Sequence, residues 1–155
     1  MNNIYYADSS VLVKRHIAEI GSNWVIALTD PSGSSTITSS ELSLVEVFSA
    51  FCRQKREKTV TDVNFKLYVR DFEIAANNEY DLYRLDSTVI AESQRLLEKH
   101  SLRAADAVQL ASAVVVRKSL LNAGLQAPIF LASDNKLLDA AIAEGFTTDN
   151  PLLHP

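Results

Sequence analysis

The sequence predicts an α/β fold around a central, mostly parallel sheet of four to five strands. Short apolar runs of strand length alternate with longer segments of helical periodicity along the chain, which is the pattern of successive βαβ units. Polar turn clusters separate these segments, and no repeat, low-complexity tract or internal linker interrupts them. The length of 155 residues suits a single domain over 1–155, large enough to bury about 70% of its unfolded surface.

Residues 4–7 read as a first buried strand, ended by Asp8-Ser9-Ser10. Helical sequence follows over 11–18 and again over 23–29, broken by Gly21, and Asp30-Pro31-Ser32-Gly33 is a turn cluster. Residues 36–38 form a short second strand. Residues 41–57 form an amphipathic helix whose apolar stripe is Leu44, Val45, Val47, Phe48, Phe51 and Cys52. A further helix covers 61–77, with Val63, Leu67, Phe72 and Ile74 among its apolar members, and 80–85 is a third strand. Asp86-Ser87 can cap a helix that reaches His100. Residues 104–121 form a helix with the stripe Ala104, Ala107, Val108, Ala111, Val114 and Val115, terminated by Asn122-Ala123-Gly124. A fourth strand over 129–132, a helix over 135–144 and a short fifth strand over 146–148 complete the pattern.

Composition narrows the function classes. Apolar residues make up 47% and charged residues 22%, and the formal net charge is −4. A general nucleic-acid coat needs a basic surface and is disfavoured, although a local basic patch is not. The single cysteine, Cys52, excludes an intramolecular disulfide and reads as buried filler on its helix stripe. The N-terminus carries no basic and apolar leader, and no apolar stretch reaches the roughly 18 residues of a bilayer span. The expected location is cytoplasmic, with no membrane partner.

Four acids stand apart: Asp8 in YYADSS, Glu46 in LSLVEVFSA, Asp106 in LRAADAVQLASA and Asp134 in IFLASDNKLL. Ligands of open parallel sheets bind beyond the carboxyl ends of the strands. Asp8 follows strand one and Asp134 follows strand four by two residues, so both belong on that edge. Gathered carboxylates repel one another and normally hold a divalent cation between them. Each acid also has a structural explanation. Asp8 and Asp134 read equally as helix N-caps, while Glu46 and Asp106 lie off the apolar stripes of their helices, where a solvated face accounts for them. Glu41, by contrast, sits in a first helical turn, where the dipole favours any carboxylate.

Together, the segments ADSSVLVK, ELSLVEVFSAF, LRAADAVQLASA and FLASDNKLLDAA resemble the acidic motifs of PIN-domain ribonucleases, in order and at compatible spacing. Within them, the chain looks most like the VapC-like toxins of bacterial toxin–antitoxin pairs. The resemblance covers nearly the whole chain, including the ending FTTDNPL. It implies a three-layer α/β/α sandwich with sheet order 3-2-1-4-5, which sets strands one and four side by side. It implies metal ligation by Asp8, Glu46, Asp106 and Asp134, with Ser10 as the hydroxyl that follows the first acid. It also implies a homodimer and a cognate antitoxin that blocks the cleft; Trp24 and Phe65 are candidate apolar residues for such interfaces, and core packing explains them equally well.

Oxygen donors suit Mg²⁺ or Mn²⁺, as one or two ions, and none of His16, His100 and His154 lies in a motif. The expected reaction is in-line hydrolysis of an RNA phosphodiester with water as the nucleophile. Arg103 and Lys14 are candidate phosphate-steering cations, with ordinary surface charge as the alternative, while the run 53–58 ends its helix where positive charge complements the dipole and has an RNA-strand contact as its second reading. The alternative is a catalytically silent module of the same fold that binds an antitoxin or another protein. A phospho-receiver or phosphatase is disfavoured because Asp8 is followed by Ser9 and Ser10 rather than by a second acid, and no GxGxxG motif supports a dinucleotide site.

Overall fold

The computed structural model describes residues 2–155. Five parallel strands form one sheet in the order β3-β2-β1-β4-β5: β1 (Ile4–Ala7), β2 (Thr36–Ser40), β3 (Tyr80–Tyr83), β4 (Ile129–Leu131) and β5 (Thr148–Asp149). The helices are α1 (Ser9–Val13), α2 (Ser22–Leu28), α3 (Leu42–Arg56), α4 (Asp62–Asn78), α5 (Ser87–Lys99), α6 (Ala104–Asn122) and α7 (Asn135–Ala143), followed by a 3-10 turn at Pro151–Leu153. The predicted architecture and strand order are those observed.

Strand periodicity divides the core in two. Tyr6 and Phe130 point to one face, where they stack with ring centroids 5.5 Å apart and pack with Leu96, Leu110 and Leu137 from α5, α6 and α7. Ala7, Ile37 and Leu131 point to the other face, among Leu12, Val25, Phe51 and Phe72 from α1 to α4. A parallel strand needs apolar side chains on both faces because its crossover helices cover both.

Local boundaries differ from expectation for physical reasons. The first helix starts earlier, because Asp8 caps it, and ends at Val13 instead of residue 18. The last strand is Thr148–Asp149 rather than 146–148, because Phe146 is a core residue that packs on Phe130 before pairing begins. On α3 the buried residues are Ser43, Val47, Ala50 and Phe51, whereas Leu44, Val45 and Phe48 of the predicted stripe are exposed. Cys52 is half-buried rather than enclosed. Trp24 and Phe65 take the second of their two readings and pack, partly buried, against the core, and Trp24 stacks on His154 with centroids 4.3 Å apart.

Gly21 sits in the left-handed region (φ 87°) at the start of α2, and a Cβ there would collide with the Pro151 carbonyl. Gly21→Ala combines left-handed strain with that overlap and should cost about 1–3 kcal/mol. The measurement is urea unfolding, where the midpoint should fall without a change of slope.

Candidate active site

Beyond the carboxyl ends of β1 and β4 lies an open cleft of about 1020 Å³ whose lining includes Asp8, Glu46, Asp106 and Asp134. Asp8 arrives there because β1 ends at Ala7, and its N–H donates to the Leu131 carbonyl of β4 at 2.9 Å. Its carboxylate is 5% exposed and accepts from the Ser10 N–H at 3.2 Å and the Ser10 hydroxyl at 2.6 Å. Asp134 caps α7 by accepting from the Leu137 N–H at 2.9 Å. For both residues the cap and the cleft position hold together: capping occupies one side of the carboxylate and leaves the rest open.

Glu46 departs from its expected solvated position. It shares the inward face of α3 with Ser43 and Ala50, and its Oε1 accepts from Gln109 Nε2 of α6 at 2.7 Å. The face is inward because it is built of small and polar groups over a polar cleft floor, which hydropathy cannot mark as interior. Asp106 stands in the first turn of α6, one turn before Gln109.

The electrostatics are those of uncompensated negative charge. Burial pushes the Asp8 carboxyl up to about 6, with Ser10 hydrogen bonds opposing and repulsion from Glu46 and Asp106 adding to the rise. Asp106 is also raised, by burial and then by Asp134, against the pull of Arg103. Among the described residues, none of the four carboxylates enters an ion pair. Asp8 is buried, Glu46 and Asp106 are half-buried and Asp134 is exposed; like charges gathered around a buried carboxylate without a counter-charge are costly, and a bound cation relieves that cost.

The donors fit a hard cation. They are all oxygens, and the Ser133 hydroxyl beside them is buried without a partner. Among the described residues no three acidic, His or Cys side chains come together closely enough to hold one ion. Mg²⁺ does not need such a group, because it keeps several waters and takes one or two carboxylates directly.

The other predicted residues fall as follows. The Ser10 hydroxyl donates to Asp8 and accepts from the Ser133 N–H at 3.2 Å, tying β1 to the β4 loop. Arg103 is exposed and lines the cleft mouth. Lys14 lines the cleft too, but it is 5% exposed and its Nζ is held by Glu19 at 2.9 Å, so its charge is already compensated. Arg53, for which sequence favoured a helix-dipole role over an RNA contact, reaches the cleft, as does Lys136. Sequence reasoning missed Glu19, Ser133 and Gln109 as parts of this site; an amide inside the apolar run AVQLASAVVV was the available signal for Gln109.

No family model matches the chain. Among solved structures it is similar in fold to a toxin–antitoxin complex from Klebsiella pneumoniae (TM-score 0.61, 14% identity, 95% of this chain and 97% of that one). It is likewise similar to VapBC2 from Rickettsia felis bound to a DNA fragment from its promoter (TM-score 0.61, 11% identity, 95% and 98%). In sequence it matches Ribonuclease VapC45 and Ribonuclease VapC49, from two strains of Mycobacterium tuberculosis. Each is 36% identical over 115 residues, covering 73% of this chain and 76% of the relative. With that identity over most of both chains, and with the sheet order and acidic cleft described above, the chain belongs to the VapC ribonuclease family.

Proposed function

We propose that the protein is a metal-dependent endoribonuclease and the toxin of a toxin–antitoxin pair, acting as a single domain in the cytoplasm. The observation that carries this reading is the set of four carboxylates, free of ion pairs, on one cleft at the carboxyl edge of the sheet. The names of the relatives support the ribonuclease activity, and the toxin–antitoxin complexes of the same fold support an antitoxin partner. Among the described residues no helix is long and apolar enough to cross a membrane.

In this reading Asp8, Glu46, Asp106 and Asp134 hold one or two Mg²⁺ or Mn²⁺ ions. When bound, the metal supplies a counter-charge for the phosphate and lowers the pKa of water. The chain's own residues do the rest. Asp8, held by Ser10, keeps a desolvated negative charge at the base of the cleft. Arg103, Arg53 and Lys136 attract the RNA backbone toward an otherwise repulsive pocket. Lys14 and Glu19 act as a neutral pair that shapes one wall. The working form is a homodimer whose clefts a cognate antitoxin covers.

The test is cleavage of structured RNA with Mg²⁺ or Mn²⁺, with EDTA, and with Asp106→Asn. EDTA should abolish cleavage and Mn²⁺ restore it, and Asp106→Asn should lower the rate on the order of 10²–10³-fold, the scale of losing one preorganised electrostatic group. Full activity in EDTA, or in the folded variant, sinks the proposal.

A further inference from the structure

Beneath the cleft runs a line of buried polar groups that none of the roles above uses. Gln109, Ser39 and Ser43 are all 0% exposed, and Tyr6 lies beside them, also 0% exposed. The Ser39 hydroxyl is 2.7 Å from the Ala7 carbonyl, the Ser39 and Ser43 hydroxyls are 2.8 Å apart, and Gln109 Nε2 lies 3.0 Å from Ser43 Oγ and 2.7 Å from Glu46 Oε1. Gln109 Oε1 accepts from the Tyr6 hydroxyl at 2.8 Å.

The direction of every bond in this line follows from counting protons. A hydroxyl has one proton, and a carbonyl can only accept. Ser39 must therefore donate to Ala7, and Ser43 must donate to Ser39. That leaves Ser43 as an acceptor, which only the amide NH₂ of Gln109 can satisfy. The amide orientation is thus dictated: NH₂ toward Ser43 and Glu46, oxygen toward Tyr6. Burial raises the Tyr6 hydroxyl well above its ordinary value, so it stays a neutral donor.

The chemical choice of an amide is informative. A lysine or arginine at this position would neutralise Glu46, and a carboxylate would repel it. A buried amide does neither: it fixes one oxygen by a charge-assisted bond and leaves the negative charge in place. Glu46 Oε1 is occupied, so Oε2 is the oxygen left for the cleft. Ser43 and Glu46 lie one turn apart on α3, and Asp106 and Gln109 one turn apart on α6, so the same amide also sets the register of the two acid-bearing helices.

We propose that Gln109 is a positioning residue whose buried amide, locked by Tyr6, Ser43 and Ser39, aims Glu46 Oε2 into the cleft. The inference rests on the metal-binding reading of the cleft and adds an outer-layer residue to it. Outer-layer partners of metal-binding carboxylates matter by about 10–100-fold in metal affinity.

The experiment is Mn²⁺ titration by calorimetry, without RNA, on the wild type, Gln109→Leu, Glu46→Gln and the double variant. Gln109→Leu should weaken Mn²⁺ binding about tenfold or more and raise the Mg²⁺ needed for cleavage, with the KM for RNA unchanged. In the Glu46→Gln background the same change should weaken Mn²⁺ binding no further, because Gln109 acts through Glu46; a merely structural role would add. Wild-type affinity in Gln109→Leu, or additive losses, would overturn this inference alone. Absence of Mn²⁺ binding by the wild type would overturn the metal reading and this inference with it. If Gln109→Leu does not fold, Tyr6→Phe decides: it keeps the stack on Phe130 while freeing the amide oxygen, and should weaken Mn²⁺ binding about threefold, unchanged binding overturning the inference.

Discussion

Asp8→Asn is expected to abolish RNA cleavage while leaving the fold as stable as the wild type, or more so. The activity loss should be on the order of 10²–10³-fold or greater, the scale found when one preorganised electrostatic group is removed from a site. The stability expectation has a separate origin. Asparagine can still accept from the Ser10 N–H and hydroxyl, so the cap of α1 survives. The substitution also removes a buried charge that burial and then Glu46 and Asp106 oppose. Relief of about 1 kcal/mol would raise Tm by about 2–4 °C in a domain of this size. Calorimetric melting beside an RNA cleavage assay reads both effects. Added Mg²⁺ should stabilise the wild type by mass action and leave the variant unmoved. A variant that melts much earlier would show that the residue is chiefly a cap, and one that still cleaves RNA would remove Asp8 from the chemistry.

The second large effect is acid sensitivity centred on His16. Its ring lies edge-on to Phe51 and Phe72, with centroids 5.7 Å from each, and its Nε2 is buried without a partner. Burial, and then the Arg15 guanidinium, lower its pKa from 6.5 to about 4, against weaker attraction from Asp71 and Glu79. The folded protein therefore holds this histidine neutral, while the unfolded chain takes up a proton below pH 6.5. Stability is fully present above that value, falls as the pH drops toward 4, and levels off below it, where both states are protonated. A shift of this size is worth about 3 kcal/mol. His16→Leu, close in volume, should flatten the dependence and stabilise the protein at pH 5. Urea unfolding of both proteins at pH 7.5, 6, 5 and 4.5 measures it; identical slopes against pH would refute it.

Much of the fold could be read from the chain because the strands are apolar on both faces and the turns carry their own residues. Asp8 and Asp134 were also legible, since a strand end in a parallel sheet fixes which edge an acid joins. Glu46 entered only through the family resemblance and not through helix periodicity, and the reason is physical. The predicted stripe holds at Val47 and Phe51, which are buried, but Leu44, Val45 and Phe48 are exposed and α3 turns Ser43, Glu46 and Ala50 inward in their place. Where a helix faces a polar cleft, small hydroxyls and carboxylates replace apolar groups, and hydropathy points the wrong way. Helix α6 failed differently. It lies between the sheet, α5 and α7, so Gln109, Leu110, Ala111, Ser112 and Ala113 are all buried in sequence and no single stripe exists to detect. The pairing of Lys14 with Glu19, which removes a free cation from the cleft, depends on the turn after α1 and carries no periodic signal.

The bond from the Ser133 N–H to the Ser10 hydroxyl joins residues 123 apart in the chain. With β4 lying beside β1, one wall of the cleft comes from the first tenth of the polypeptide and the other from near its end. During synthesis the early strands and helices emerge first, and chains fold from that end. Asp8, Glu46 and Asp106 therefore wait for β4 to insert before Asp134 joins them. Such long-range closure slows folding relative to local contacts. It also means that an unfinished chain, still attached to the RNA-rich machinery that makes it, does not carry the complete acidic cleft.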